Sequence, residues 1–153
     1  MELILTAELV PSTSWYDNLR KVLSPEDWDS IRFQVYEHFG NRCALCEATG
    51  SLHCHEIWRY DDVLHLQALD GFYALCPWCH HIKHLGYAGI LADRGKLDYE
   101  RLIRHFQRVN GCERGEFYRH RDEAFDQWEQ RSKFAWTVEL GEYAAFARPQ
   151  GKR

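Results

Sequence analysis

The chain has 153 residues, of which 27% are charged and 14% aromatic, and a net charge of −4 at pH 7. That length carries one domain with its own core, the aromatic content excludes a disordered chain, and the mild acidity excludes a protein that coats nucleic acid through its overall field. No stretch approaches the roughly 18 apolar residues of a membrane span, and Met1-Glu2-Leu3-Ile4-Leu5 has neither a basic region nor a small-residue cleavage site, so a cytoplasmic protein with no membrane partner is expected.

In chain order, Glu2 to Val10 alternates weakly in an apolar stretch that ends at Pro11 and predicts a strand. Ser24-Pro25-Glu26-Asp27 is a helix start, with Ser as N-cap, Pro at the first helical position and acids in the first turn. Trp28, Ile31, Val35 and Phe39 then recur three or four apart and Gly40 supplies the stop, which predicts a helix over 25–39. Strands are expected over Leu52 to Trp58 and Phe72 to Leu75, and a helix from Pro77 toward Leu91, weakened in its second half by Gly86 and Gly89. Further helices are predicted over Tyr99 to Val109, with Leu102, Ile103 and Phe106 buried, and over Arg114 to Arg131, with Phe117, Phe125 and Trp128 inward. Phe134 to Leu140 reads as a strand that would pair with the N-terminal one, and Arg148 to Arg153 as a frayed tail.

Charge is unevenly spread. Residues 1–40 hold seven acidic groups against three basic, whereas Arg94 to Lys133 carry ten basic against eight acidic. The second half is the expected phosphate-facing side, although Arg101, Arg104, Arg108, Arg114, Arg119 and Arg121 are individually explained as solvated helix faces paired with nearby acids.

The chemistry is concentrated in between. Cys43-Ala44-Leu45-Cys46 and Cys76-Pro77-Trp78-Cys79 are two pairs whose two-residue gap lets both thiolates reach one tetrahedral ion. Together they supply the four ligands of a structural zinc site, and a reducing compartment would preserve them as thiols. Between the pairs lies His53-Cys54-His55-Glu56, and after them His80-His81-Ile82-Lys83-His84, where His80 and His84 share a helix face. Four thiolates already fill a tetrahedron, so these histidines are free for a second task. His53 falls on the same strand face as His55, and His81 on a different helix face from His80 and His84.

The segment Cys43 to His84, a knuckle, a strand with Cys54-His55, a second strand, then Leu75-Cys76-x-x-Cys79-His80-x-x-Lys83-His84, resembles the HNH endonuclease family in its four-cysteine, zinc-stabilised form. The resemblance implies an α+β fold: a zinc-stabilised ββα-metal, treble-clef-like core over 43–91 within a single domain, an N-terminal strand and helix over 1–40, and a helical extension with a terminal strand over 96–147. It implies a metal-dependent endonuclease that hydrolyses DNA, or RNA, to 5′-phosphate and 3′-hydroxyl ends. His55 would be the general base, and His80, His84 and Cys54 would hold a catalytic divalent ion, Mg2+, Mn2+, Ni2+ or Zn2+, beside the structural Zn2+. A thiolate at position 54, where the family commonly has Asp or His, favours softer ions, with Glu56, Asp61 or Asp62 as alternative oxygen ligands. The family's middle Asn is replaced by Gly71, so Asp70 or Gln67 would take over its orienting role. His53, Glu56, Arg59, Asp70 and Lys83 are candidate supporting or substrate contacts, and Trp58 and Tyr60 offer rings for bases. The competing reading is a non-catalytic zinc module that binds nucleic acid or protein. A third is an effector that needs a protein partner or a second copy to deliver nucleic acid.

Overall fold

The computed structural model describes residues 2–14 and 19–146. Ser24 starts the first long helix: its side chain accepts a hydrogen bond from the Asp27 amide at 3.1 Å, and Pro25 follows at the first helical position. The result is α2 (Pro25–His38), preceded by the single turn α1 (Leu19–Val22). Beyond it, Gly40 takes φ +66, the left-handed conformation that ends helices without a Cβ penalty. The first knuckle comes next. The Cys43 amide donates to the Ala48 carbonyl and the Glu47 amide to the Cys43 carbonyl, a tight reversal with Glu47 at φ +64.

Two strands then form an antiparallel hairpin, β1 (His53–Asp61) and β2 (Leu66–Leu75), in the register His53 to Leu75 and His55 to Tyr73. Its turn is closed by the Asp61 carboxylate, which accepts the Val63 and Leu64 amides at 2.9 Å each. The ladder slips between Ile57 and Trp58. Gly71, at φ +152, sits at this bulge in a conformation that side chains avoid. The short β3 (Thr137–Glu139) adds to β2 in parallel, giving the order β1-β2-β3. The terminal strand therefore joins the hairpin, not the N-terminal segment. It is also shorter than expected, because the Trp136 indole donates to the Arg131 carbonyl at 2.7 Å and holds the preceding residues against the end of the last helix.

After the second knuckle come α3 (Pro77–Lys83), α4 (Leu85–Asp93), α5 (Tyr99–Asn110) and α6 (Arg114–Arg131). The single helix expected from Pro77 to Leu91 is thus two. His84 stands between them at φ −104 and ψ 53, and the turn it makes sends Leu85 and Ala88 into the core.

The N-terminal strand does not form. Residues 2–10 run extended, with Leu3, Leu5, Ala7 and Leu9 facing the core as their alternation requires, but side chains of the helices take the place of a partner strand. The Asn110 carboxamide accepts the Ile4 and Leu5 amides at 2.8 Å and donates to the Leu5 carbonyl, and His120 Nε2 accepts the Ala7 amide at 2.9 Å. The Glu8 amide then donates to the Lys83 carbonyl at 3.0 Å. Every one of those groups would be costly to bury unpaired.

The apolar residues collect on the two faces of the hairpin. Leu5, Leu75, Ile82, Leu85, Leu102, Ile103, Phe106 and Phe117 pack around Cys43, Cys76 and Cys79 on one side. Leu19, Val22, Leu23 and Phe72, with Trp28, Ile31, Val35 and Trp58, pack on the other. Fully burying one such side chain contributes about 2 kcal/mol. Of the expected inward face of α6, Phe117 is buried, whereas Phe125 stays half exposed over Gly86. The fold is α+β with a small three-stranded sheet, and among the described residues no helix is long and apolar enough to cross a membrane. The tail expected from Arg148 lies outside the described residues.

Candidate metal centres

The two knuckles bring Cys43, Cys46, Cys76 and Cys79 together, with all four sulfurs within 4.8 Å of one another and those of Cys46 and Cys76 3.5 Å apart. A tetrahedral zinc with bonds of about 2.3 Å spaces its sulfurs by about 3.8 Å. The electrostatics of the cluster call for a cation. Cys43 is pushed far below the ordinary thiol range by hydrogen bonds from Cys76 and Cys79, while those two are pushed up, Cys76 to about 11, because their protons are held in hydrogen bonds to Cys43 and a further negative charge would stand beside the first. One thiolate is easily formed and four are not, unless a divalent ion offsets their repulsion. The donor set therefore suits a metal such as zinc. All six cysteines are free of disulfides.

His105 joins this cage from α5, and sequence reasoning missed it. Its Nε2 lies 3.2 Å from Cys79 Sγ, and its Nδ1 lies 2.9 Å from the Arg108 guanidinium, which can only donate. Nδ1 is therefore the acceptor and Nε2 carries the proton toward sulfur. The only signal was its position among Leu102, Ile103 and Phe106 on the buried side of the helix.

The second cluster is built of imidazoles. Nitrogens of His55, His80 and His84 all lie within 4.8 Å of one another, and His55 is 5% exposed. His84 reaches the group although it has left the helix, because its amide still bonds the His80 carbonyl at 3.1 Å. Their ring centroids are 5.5 Å apart for His55 and His80, 5.1 Å for His55 and His84, and 4.6 Å for His80 and His84. His53 stacks on His80 at 4.8 Å. Burial and then the neighbouring imidazoles push His80 down to about 2 and His84 to about 4, so both rings are neutral and present lone pairs at ordinary pH.

Cys54 is not part of this group. It lies on the other pleat of β1, packed with the α1 and α2 side of the core, and burial pushes its thiol up to about 12, which removes it as a ready thiolate. The alternative oxygen ligands are also committed elsewhere. Glu56 accepts the Leu19 amide at 3.1 Å, Asp61 closes the hairpin turn, and Asp62 is held by Arg131 at 2.8 and 3.0 Å. Asp70 faces Arg59 across the hairpin at 3.7 Å, and the fully buried Gln67 carboxamide has no hydrogen-bond partner among the described residues, so neither orients His55. Trp58 packs in the core, and Tyr60 meets Trp136 edge-on beneath the Arg131 guanidinium.

The carboxylate hydrogen-bonded to the imidazole cluster is Glu8. One oxygen lies 3.2 Å from His55 Nε2 and the other 2.6 Å from Lys83 Nζ. Lys83, expected at the phosphate, is instead 2% exposed and directed inward, with Thr6 Oγ1 as its further partner at 3.3 Å. Burial raises the Glu8 carboxyl, but the His55 hydrogen bond and the Lys83 charge outweigh it, and the group lies below its ordinary range. A carboxylate behind an imidazole fixes its tautomer and ring orientation, as it does behind metal-bound histidines. In sequence, Glu8 is only the polar parity of an apolar alternation, shared with Thr6.

A cavity of about 560 Å3 opens onto these rings, bordered by Glu8, Trp28, Tyr36, His53, His55, His80 and His84. Since β1 is the sheet's edge strand, residues of both its faces, Cys54 among them, line it. Comparison of the chain with protein-family models, with curated proteins and with solved structures yields no match.

Proposed function

We propose that the protein is a metal-dependent endonuclease of the HNH type, hydrolysing phosphodiester bonds beside a zinc-braced hairpin and helix. The observation that carries this reading is the convergence of three imidazoles, His55, His80 and His84, on one point at the wall of an open cavity, next to but separate from a four-thiol cage. A cage that only braced the backbone would have no use for them. A divalent ion held there supplies positive charge for the phosphate oxygens and the leaving alkoxide. His80 and His84 bind as neutral donors, and His55, bonded to Glu8 and nearly closed to solvent, serves the same ligand set. The base is then His53. It lies exposed at the cavity rim, stacked on His80, and burial on its inner side lowers its pKa, keeping it neutral and able to take a proton from water. His53 thus takes the base role that the family resemblance assigns to His55.

Plasmid nicking and metal titration, run together on single variants, test the assignment. His55→Ala, like His80→Ala, should abolish both the weaker ion and cleavage. His53→Ala should keep the ion and lose on the order of 10²-fold or more in rate. Cleavage that survives both His55→Ala and His80→Ala rules the mechanism out.

A further inference from the structure

Of the arginines in the second half of the chain, several are neutralised by carboxylates. Arg114 holds Glu100 through two nitrogens at 2.7 Å each, Arg119 is paired with Glu116 and Glu123, and Arg121 with Asp122. Arg101, Arg104 and Arg108 form no ion pair with a carboxylate among the described residues. The acid one turn before Arg104 is Glu100, already gripped by Arg114. All three are exposed and fall three and four apart along α5, so they form one stripe opposite the buried face of Leu102, Ile103, His105 and Phe106.

We infer that this stripe of α5 is a docking face for the phosphodiester backbone of a polynucleotide, flanking the imidazole site. The inference rests on the nuclease reading for its choice of partner and extends it beyond the reacting bond. The Arg101 guanidinium carbon lies over the Trp78 ring, 4.5 Å from its centroid, a cation–π contact that holds the group without using up its N–H donors. Trp78 in turn meets His81 at 5.8 Å, and His81 is the neighbour of His80 in α3. One turn of α3 therefore joins the stripe to the histidines, and its indole and imidazole are surfaces on which bases stack. At the foot of the stripe a groove of about 440 Å3 is lined by Arg108, Trp78, Thr49 and Ser51, with Cys46 and Cys76 of the cage also at its wall. Hydroxyl groups there add the neutral donors common at phosphate contacts. In a protein of net charge −4 such a local row of cations is what brings a polyanion close.

The test is fluorescence anisotropy of the zinc-loaded full chain, in a His80→Ala background that prevents cutting, with labelled single-stranded DNA, duplex DNA and RNA between about 50 and 200 mM salt. Arg101→Gln with Arg104→Gln is compared with Arg119→Gln with Arg121→Gln. Both pairs remove the same net charge, and Arg108 is left alone because it contacts His105. The first pair should weaken binding of at least one polynucleotide on the order of tenfold and lower the slope of log affinity against log salt by about 2, whereas the second should leave the slope unchanged. Arg101→Lys with Arg104→Lys should retain the slope. Equal slopes for the two Gln pairs with all three polynucleotides overturn the inference. Hydrolysis of bis(p-nitrophenyl) phosphate by the protein with His80 intact separates the two proposals, since that substrate is too small to reach α5. If it is never hydrolysed while the salt slopes differ, the cleavage reading fails and the docking face stands.

Discussion

Cys79 and His80 are neighbours in the chain and belong to clusters of opposite character. The cage around Cys79 packs against the main core, with Cys46 and Cys76 also at the wall of the smaller groove, and its four sulfurs come from two tight turns whose geometry is local. The cluster around His80 lines a cavity, and its parts come from the N-terminal segment, the edge strand and the helix after the second knuckle. Four thiols fill a tetrahedron and leave nothing over for substrate, whereas three imidazoles leave coordination positions open. One short helix with its two caps thus supplies two of the four thiols at its start and two of the three imidazoles further along, so the two clusters share an element without sharing a ligand.

Removing the cage should have the largest effect on the molecule. Chelation, or Cys79→Ser, should unfold the chain, because structural zinc binding is worth on the order of 10 kcal/mol, comparable to the whole stability of a domain; circular dichroism with metal analysis reads this. His84→Ala should leave the melting temperature within a few degrees of the parent while the weaker ion and cleavage are lost, as for His55→Ala and His80→Ala, measured as nicking rate and metal content against thermal midpoint. An equal loss of fold in both variants would erase the distinction. A smaller effect is expected behind the imidazoles. Glu8→Ala strands the buried Lys83 ammonium and should cost about 2 kcal/mol, less than for a fully buried pair because Glu8 itself is one-third exposed. Adding Lys83→Met should recover most of it, a coupling that a double-mutant cycle by urea denaturation measures.

The smallest effect concerns pH. His120 Nε2 accepts the Ala7 amide and therefore must be neutral, and burial holds its pKa below the ordinary 6.5. Its contribution is fully present above pH about 6.5 and is lost as pH falls below that value toward the lower folded-state pKa. Hydrogen exchange at the Ala7 amide should accelerate between pH 7 and 5 beyond the intrinsic trend, by a free energy of about 1 kcal/mol or less. His120→Gln, whose amide oxygen still accepts, should flatten that excess.

Much of the architecture was legible because it obeys local rules. Ser24, Pro25 and Gly40 marked α2 to within a residue, and Arg114 to Arg131 was read with the bounds it has. What failed was long-range. The alternation of residues 2–10 correctly turned Leu3, Leu5, Ala7 and Leu9 inward, but alternation cannot say whether a strand or the side chains of Asn110 and His120 will satisfy the backbone. The break at His84 was invisible because the residues around it keep a helical pattern while the core dictates where Leu85 points. Glu8 escaped notice since it lies 47 residues from His55 and 75 from Lys83.

By itself the sequence determined the cage, whose paired cysteines need only a turn to converge, and the helices, whose caps and apolar spacing act within a few residues. Packing between distant elements settled which histidines meet, that Cys54 faces away from them, that Glu8 stands behind His55, and which arginines have no carboxylate partner among the described residues. Those outcomes depend on how separate elements pack, and packing assigns partners to polar groups that spacing along the chain leaves open.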